Sequence, residues 1–213
     1  MERPLSSGFQ AIILAAGRSS RMGREKARLP WIGGKSLLSW MVDSLITAGW
    51  QTTAVVGPES FDHWKSTLPP GCAVRNPDPS RGKTSSLTCG VEKLPLNAKW
   101  ILISAVDQPR HPALYQRLRD EAGSHRGSII VPTCEGRRGH PVVVAGRLRS
   151  ELLVLNENSL GLRGLLDAHR AEIYRLPDGD PAERQWDLNT PEAYEEALGV
   201  FMELPDPRPS TGL

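Results

Sequence analysis

No stretch of this chain approaches the roughly 18 consecutive apolar residues of a membrane span, and Met1 to Phe9 lacks the apolar core of a secretion signal. A cytoplasmic protein with no membrane partner is expected. Cysteine is scarce. Cys72, Cys89 and Cys134 are its 3 members, widely spaced and without a CxxC pair, which argues against a disulfide framework and a zinc site. Charge of one sign is lacking as well: 26 Lys and Arg stand against 24 Asp and Glu, for a net +2. Nucleic acid binding calls for a one-sided basic excess, so no nucleic acid partner is expected and any basic cluster must be local.

Two nucleotide motifs are also missing. "GRSSRMG" does not have the spacing of GxGxxG, and no acid follows at the distance a dinucleotide ribose requires, which excludes a Rossmann cofactor site. "RGKTSS", Arg81 to Ser86, imitates the end of a P-loop, but Pro77 stands where the first glycine belongs and a Pro-rich loop replaces the preceding strand. A kinase or GTPase reading fails on those grounds.

What remains is a chain of 213 residues, long enough to bury a substantial core as one domain over residues 1–200. Gln10 to Ala16 reads as a buried strand, and Leu37, Leu38, Met41, Val42, Leu45 and Ile46 recur as on a one-faced helix ending at Gly49. Strands near Thr52 to Val56 and at Ala73, a short helix over Phe61 to Leu68 and a helix over Thr84 to Leu94 follow. Trp100 to Val106 is then a continuous apolar run. This rhythm predicts an α/β fold, a mostly parallel sheet covered by helices. "GSIIVPTCEGRRGHPVVVAG", Gly127 to Gly146, places two β-rich runs around a Gly/Arg turn and predicts an added antiparallel strand pair. The tail over residues 201–213, rich in Pro, Ser and Gly, is expected to fray.

Open parallel sheets bind ligands beyond the carboxyl ends of their strands. In "AIILAAGRSSRMGREKARLPW" that place holds Gly17 and Gly23, whose backbone can approach a ligand closely, together with Arg18, Arg21, Arg24, Lys26 and Arg28. Amides and cations together suit a polyphosphate; the plainer reading is a solvated basic loop. In "LISAVDQP", Asp107 ends an apolar strand and projects a carboxylate toward the same edge. In "WDLNTPEAY", Thr190, Pro191 and Glu192 are explained as the start of a helix. Asp187 and Asn189 are not, although either could stabilise a turn. Asp107 with Asp187 or Asn189 could hold Mg²⁺, which takes one or two protein oxygens and fills its shell with phosphates and water.

"LAAGRSSRMGREKARLPW", "GKTSSLTCG", "DQPRHPAL", "GRRGHPVVV" and "DLNTPEAY", in that order from Ala11 to Leu198, resemble the MobA-like nucleotidyltransferases and, among them, the molybdenum cofactor cytidylyltransferase branch. The resemblance implies a Rossmann-like three-layer α/β/α sandwich of the nucleotide-diphospho-sugar transferase type. It implies transfer of CMP from CTP to the terminal phosphate of molybdopterin, with release of pyrophosphate and Mg²⁺ as cofactor. A molybdoenzyme client or its chaperone would be a further partner. Leu14, Ala15, Ala16, Gly17 and Arg18 would then hold the nucleotide, Arg21 and Lys26 would grip the triphosphate, and Gly82 and Ser86 would position the nucleotide. Asp107 would hold the metal with Asp187 or Asn189, and His140 would face the acceptor. Cytidylyl members tend to carry LAAG where guanylyl members carry LAGG, which implies CTP from Ala16. Two departures stand out: "NENSLGLRGLL", Asn156 to Leu166, lacks the acid of the family's GDxGxR-like segment, and Lys83 replaces a frequent methionine. They leave open another phosphorylated acceptor (a sugar, polyol or amino-alcohol phosphate) or a non-catalytic protein that handles the cofactor.

Overall fold

The computed structural model describes residues 8–17, 25–124, 127–134, 136–179 and 186–203. Strand β1 (Phe9–Leu14) lies between β2 (Gln51–Val56) and β4 (Trp100–Ala105), parallel to both, and β3 (Ala73–Arg75) continues the parallel set beyond β2. Helices α1 (Leu37–Thr47), α2 (Phe61–Thr67), α3 (Lys83–Lys93) and α4 (Pro112–Ser124) make or follow the crossovers. The Gly/Arg turn separates β5 (Ile129–Cys134) from β7 (Val142–Ala145), and its arm β6 (Arg137–Arg138) folds back on the end of β5. Helices α5 (Arg149–Leu153) and α6 (Gly161–Ala168), strand β8 (Ile173–Leu176) and helix α7 (Pro191–Glu203) complete the order.

The sheet runs β3-β2-β1-β4-β7-β5-β6, with β8 paired to β5. The expected antiparallel pair is therefore built into the sheet: β7 inserts between β4 and β5, antiparallel to both, while β8 pairs with β5 in parallel. Sequence periodicity did not reveal β8, a short strand interrupted by the exposed Arg175.

Alternation along the strands divides the core into two layers. Ala11, Ile13, Leu102 and Val143 face α1, α4 and α7, where Leu38, Met41, Leu45, Tyr115, Leu118 and Phe201 pack. Ile12, Ile101, Ile103, Val142 and Val144 face α3, α5 and α6 through Leu87, Val91, Leu152 and Leu165. This is the α/β/α sandwich that the family resemblance implied. Helix α3 approaches the sheet closely because Gly90 has no side chain: a Cβ there would lie 2.8 Å from Ile12 Cγ2 and 3.1 Å from Val55 Cγ2.

Candidate active site

The four parallel strands deliver their ends to one edge, and backbone bonds fix the loops that leave them. Strand β1 stops at Leu14 rather than Ala16, yet the Ala15 amide still donates to Val55 O at 2.8 Å. The Val106 amide donates to Leu14 O at 3.1 Å, and Asn76 N to Val56 O at 2.9 Å. Ala15 and Ala16 are buried, while Gly17 is exposed, with no atom of the described residues near the place a Cβ would take. Arg18 and Arg21, assigned to the triphosphate from the sequence, lie outside the described residues, as do Gly23 and Arg24.

The Glu25 carboxylate accepts from Trp64 Nε1 at 3.1 Å and from Arg28 Nε at 2.7 Å. That anchor to α2, together with the buried Ala27, fixes the short 3-10 turn Lys26–Arg28. From it Lys26 reaches across the edge, its Nζ donating to Asp107 Oδ2 at 3.1 Å and to Asn189 Oδ1 at 3.0 Å. Three motifs distant in sequence therefore converge on one ammonium. Asp107 follows β4, and its carbonyl accepts from the Leu188 amide at 2.8 Å, a bond that draws the 186–189 segment alongside. Asp187 turns elsewhere: its Oδ1 accepts from Gln108 Nε2 at 2.7 Å.

The side-chain oxygens of Asp107 and Asn189 thus already converge on a cation. Hard oxygen donors in this number fit Mg²⁺, which keeps water and substrate phosphates in the rest of its shell. Among the described residues no group of three His, Cys, Asp or Glu could form a protein-only metal cage.

Beneath this edge lies a residue that the sequence did not bring forward. Arg110 is 1% exposed. Its Nε donates to His140 O at 2.9 Å, and its Nη1 donates to Pro109 O at 2.9 Å and Trp186 O at 2.5 Å. Burial lowers its pKa, opposed by the fields of Tyr115, Asp187 and Asp107. His140 stands in the corner closed by a cis peptide to Pro141. Burial first, and then the Arg110 charge, push its pKa below the ordinary histidine value, so the ring favours its neutral form at neutral pH.

Beside His140 is a cavity of about 230 Å³ that Leu14, Lys83, Gln108, Leu160 and Arg163 also line. Leu160 has a φ of 63°, a strained left-handed backbone for a leucine, and the residue is 61% exposed. Lys83, the departure from the family's methionine, adds a cation to this wall. Glu157 belongs to the other departing segment. Its Oε1 accepts from Thr84 N at 2.8 Å and Thr84 Oγ1 at 3.1 Å, capping the first turn of α3. Gly82 permits this approach, since a Cβ there would lie 2.4 Å from Glu157 Oε1 and its φ is +95°. Ser86 is buried, and its hydroxyl accepts from Asn76 Nδ2 at 2.9 Å, tying α3 to the end of β3.

Phosphate chemistry on an open α/β sheet is served by this arrangement, with fixed backbone, cations and metal-competent oxygens at the carboxyl edge. The class it defines is the α/β transferase of nucleotides. The chain belongs to the MobA-like NTP transferase domain family, which matches residues 11–173. A molybdenum cofactor guanylyltransferase of Rhodopseudomonas palustris (strain HaA2) is 28% identical over 207 residues, covering 92% of this chain and 94% of the relative. The fold is shared with the crystal structure of Rv0371c from Mycobacterium tuberculosis H37Rv, with a TM-score of 0.75 and 24% identity over 90% of this chain and 98% of that one. A manganese complex of Rv0371c aligns with a TM-score of 0.70 and 22% identity, covering 90% of this chain and 98% of the other. No described helix is long and apolar enough to cross a membrane.

Proposed function

We propose that this protein transfers a nucleoside monophosphate from a nucleoside triphosphate to the terminal phosphate of molybdopterin, releasing pyrophosphate. The observation that carries the reading is the convergence of Asp107 and Asn189 on Lys26 Nζ at 3.1 and 3.0 Å. The name borne by the Rhodopseudomonas relative supports molybdenum cofactor as the acceptor class.

The nucleophile, a phosphate, is anionic near neutral pH, so the reaction asks little of a general base. Its obstacle is repulsion between anions. Lys26 lowers that repulsion on the triphosphate side, Arg18 and Arg21 are assigned the same task, and the loop from Leu14 to Gly17 holds the nucleotide at the end of β1. Asp107 and Asn189 would hold Mg²⁺, which would supply Lewis-acid stabilisation of the charge that builds up on phosphate. The alignment of a manganese complex supports a divalent cation in this fold. Asp187 keeps Gln108 in place beside the cavity. His140, Lys83 and Arg163 line the wall assigned to the acceptor, where a neutral imidazole can donate a hydrogen bond without adding charge.

For the nucleotide, Ala16 favours CTP, because a methyl group in the loop narrows the site against a purine. The guanylyltransferase name of the relative favours GTP as a second reading. Pyrophosphate release from CTP and GTP, measured with molybdopterin and with sugar, polyol and amino-alcohol phosphates as acceptors, tests both choices. Release with molybdopterin above every other acceptor is expected. Release with another phosphate alone would reassign the acceptor, and binding without release would make the protein a carrier.

A further inference from the structure

We propose that Arg110 is a positioning residue for nucleotidyl transfer, its buried guanidinium clamping the Asp107 loop, the His140 corner and the 186–189 segment at fixed separations. The inference rests on the transferase reading above.

The three acceptors of Arg110 are backbone carbonyls of three separate segments: Pro109, His140 and Trp186. Each segment carries a residue assigned to the reaction, namely Asp107, His140 and Asn189. A planar guanidinium fork directs its N–H groups along fixed lines, so the bond to Pro109 fixes the fork on its own loop and the bonds to His140 and Trp186 set the positions of two further segments against that loop. An apolar side chain could fill the same volume without the cost of burying a charge. Among the described residues the guanidinium bonds carbonyls and no carboxylate, and the acids whose fields favour its charge include Asp187 and Asp107 of the site itself. The charge is therefore coupled to the very groups it positions.

The clamp acts on the metal oxygens from below. Trp186 precedes Asp187, and the Leu188 amide bonds the Asp107 carbonyl at 2.8 Å. A displacement of the 186–189 segment would strain the Leu188–Asp107 bond and move Asn189 Oδ1 away from Asp107 Oδ2. Small displacements matter in such a site: roughly 1 Å costs on the order of 100-fold in rate, and loss of an outer partner costs about 10- to 100-fold in metal affinity or activity.

The experiment compares wild-type protein with Arg110→Lys and Arg110→Gln, using CTP and GTP with molybdopterin. Expected are cooperative thermal unfolding in both variants, a kcat lower by about 10- to 100-fold, and a higher Mg²⁺ concentration for half-activation. The nucleotide KM should change much less than kcat. Arg110→Lys, which keeps the charge and loses the fork, should recover only part of the lost rate. In parallel, amide hydrogen exchange should accelerate at Leu188 while amides in β1 and β4 hold their wild-type rates. Wild-type kcat, Mg²⁺ dependence and Leu188 exchange in Arg110→Lys would overturn the proposal. Global unfolding of both variants would also overturn it, by giving Arg110 a role in the whole fold. Absence of pyrophosphate release from the wild-type protein would remove the transferase reading instead, and Leu188 exchange would still report whether the clamp exists.

Discussion

Replacing Asp107 with asparagine keeps the shape of the side chain and removes one charge from the point where Lys26 and Asn189 meet. The Lys26–Asp107 pair is 3.1 Å long with side-chain exposures of 12% and 25%, so it is partly shielded from solvent. A charged hydrogen bond of this kind contributes about 1.5–3 kcal/mol. Asparagine can still accept from Lys26, so about half of that should remain, leaving a loss on the order of 1 kcal/mol and a Tm lower by roughly 2–4 °C. Catalysis should suffer more. A metal-binding carboxylate supplies several kcal/mol to a phosphoryl transition state, and a hundredfold fall in kcat corresponds to about 2.7 kcal/mol. The assay is pyrophosphate release at saturating Mg²⁺ alongside scanning calorimetry of the same preparation. A kcat lower by a hundredfold or more with a small shift in Tm is expected. Near-normal turnover at saturating Mg²⁺ would refute the metal assignment, and a collapse in Tm would turn Asp107 into a structural residue.

Gly82→Ala should destabilise the protein by roughly 1–3 kcal/mol, because the backbone φ of +95° suits glycine and the new methyl group displaces Glu157. Urea unfolding checks this, and adding Glu157→Ala should relieve the steric part; an unchanged midpoint in Gly82→Ala would contradict the geometry. Ala16→Gly should relax a preference for CTP over GTP that is about ten- to a few hundred-fold by a steric methyl, read from kcat/KM in competition; GTP preferred by the wild-type protein would sink the Ala16 argument. As imidazolium, His169 donates from Nε2 to Glu151 at 2.7 Å and from Nδ1 to Glu172 at 3.0 Å, and these bonds raise its pKa. Its stabilising charge is fully present below the unfolded value of about 6.5 and is lost as pH rises through the folded value. The Tm gap between wild type and His169→Gln should therefore be wide near pH ~5.5 and close in alkaline buffer; a gap independent of pH would rule this out.

Continuous apolar runs made the central strands legible, and Asp107 was legible because it ends one of them. Motif order brought Lys26, Asp107 and the Asp187/Asn189 pair to one family pattern, but the choice within the pair depends on the directions of side chains in a turn. Asn189 meets Lys26 while Asp187 meets Gln108. Arg110, an arginine between proline and histidine in a loop, carries the composition of a solvated surface; only the tertiary approach of the His140 and Trp186 carbonyls buries it. The capping carboxylate of α3 was hidden for a similar reason, since Glu157 lies 73 residues from Thr84. β8 is too short for periodicity and owes its place to β5.

The most direct measurement is mass spectrometry of the products formed when purified protein is incubated with molybdopterin, Mg²⁺ and an equimolar mixture of CTP, GTP, ATP and UTP. The account predicts a molybdopterin cytosine dinucleotide as the main product, with one pyrophosphate released for each molecule formed. Pterin recovered unmodified, with all four nucleotides intact, would contradict it.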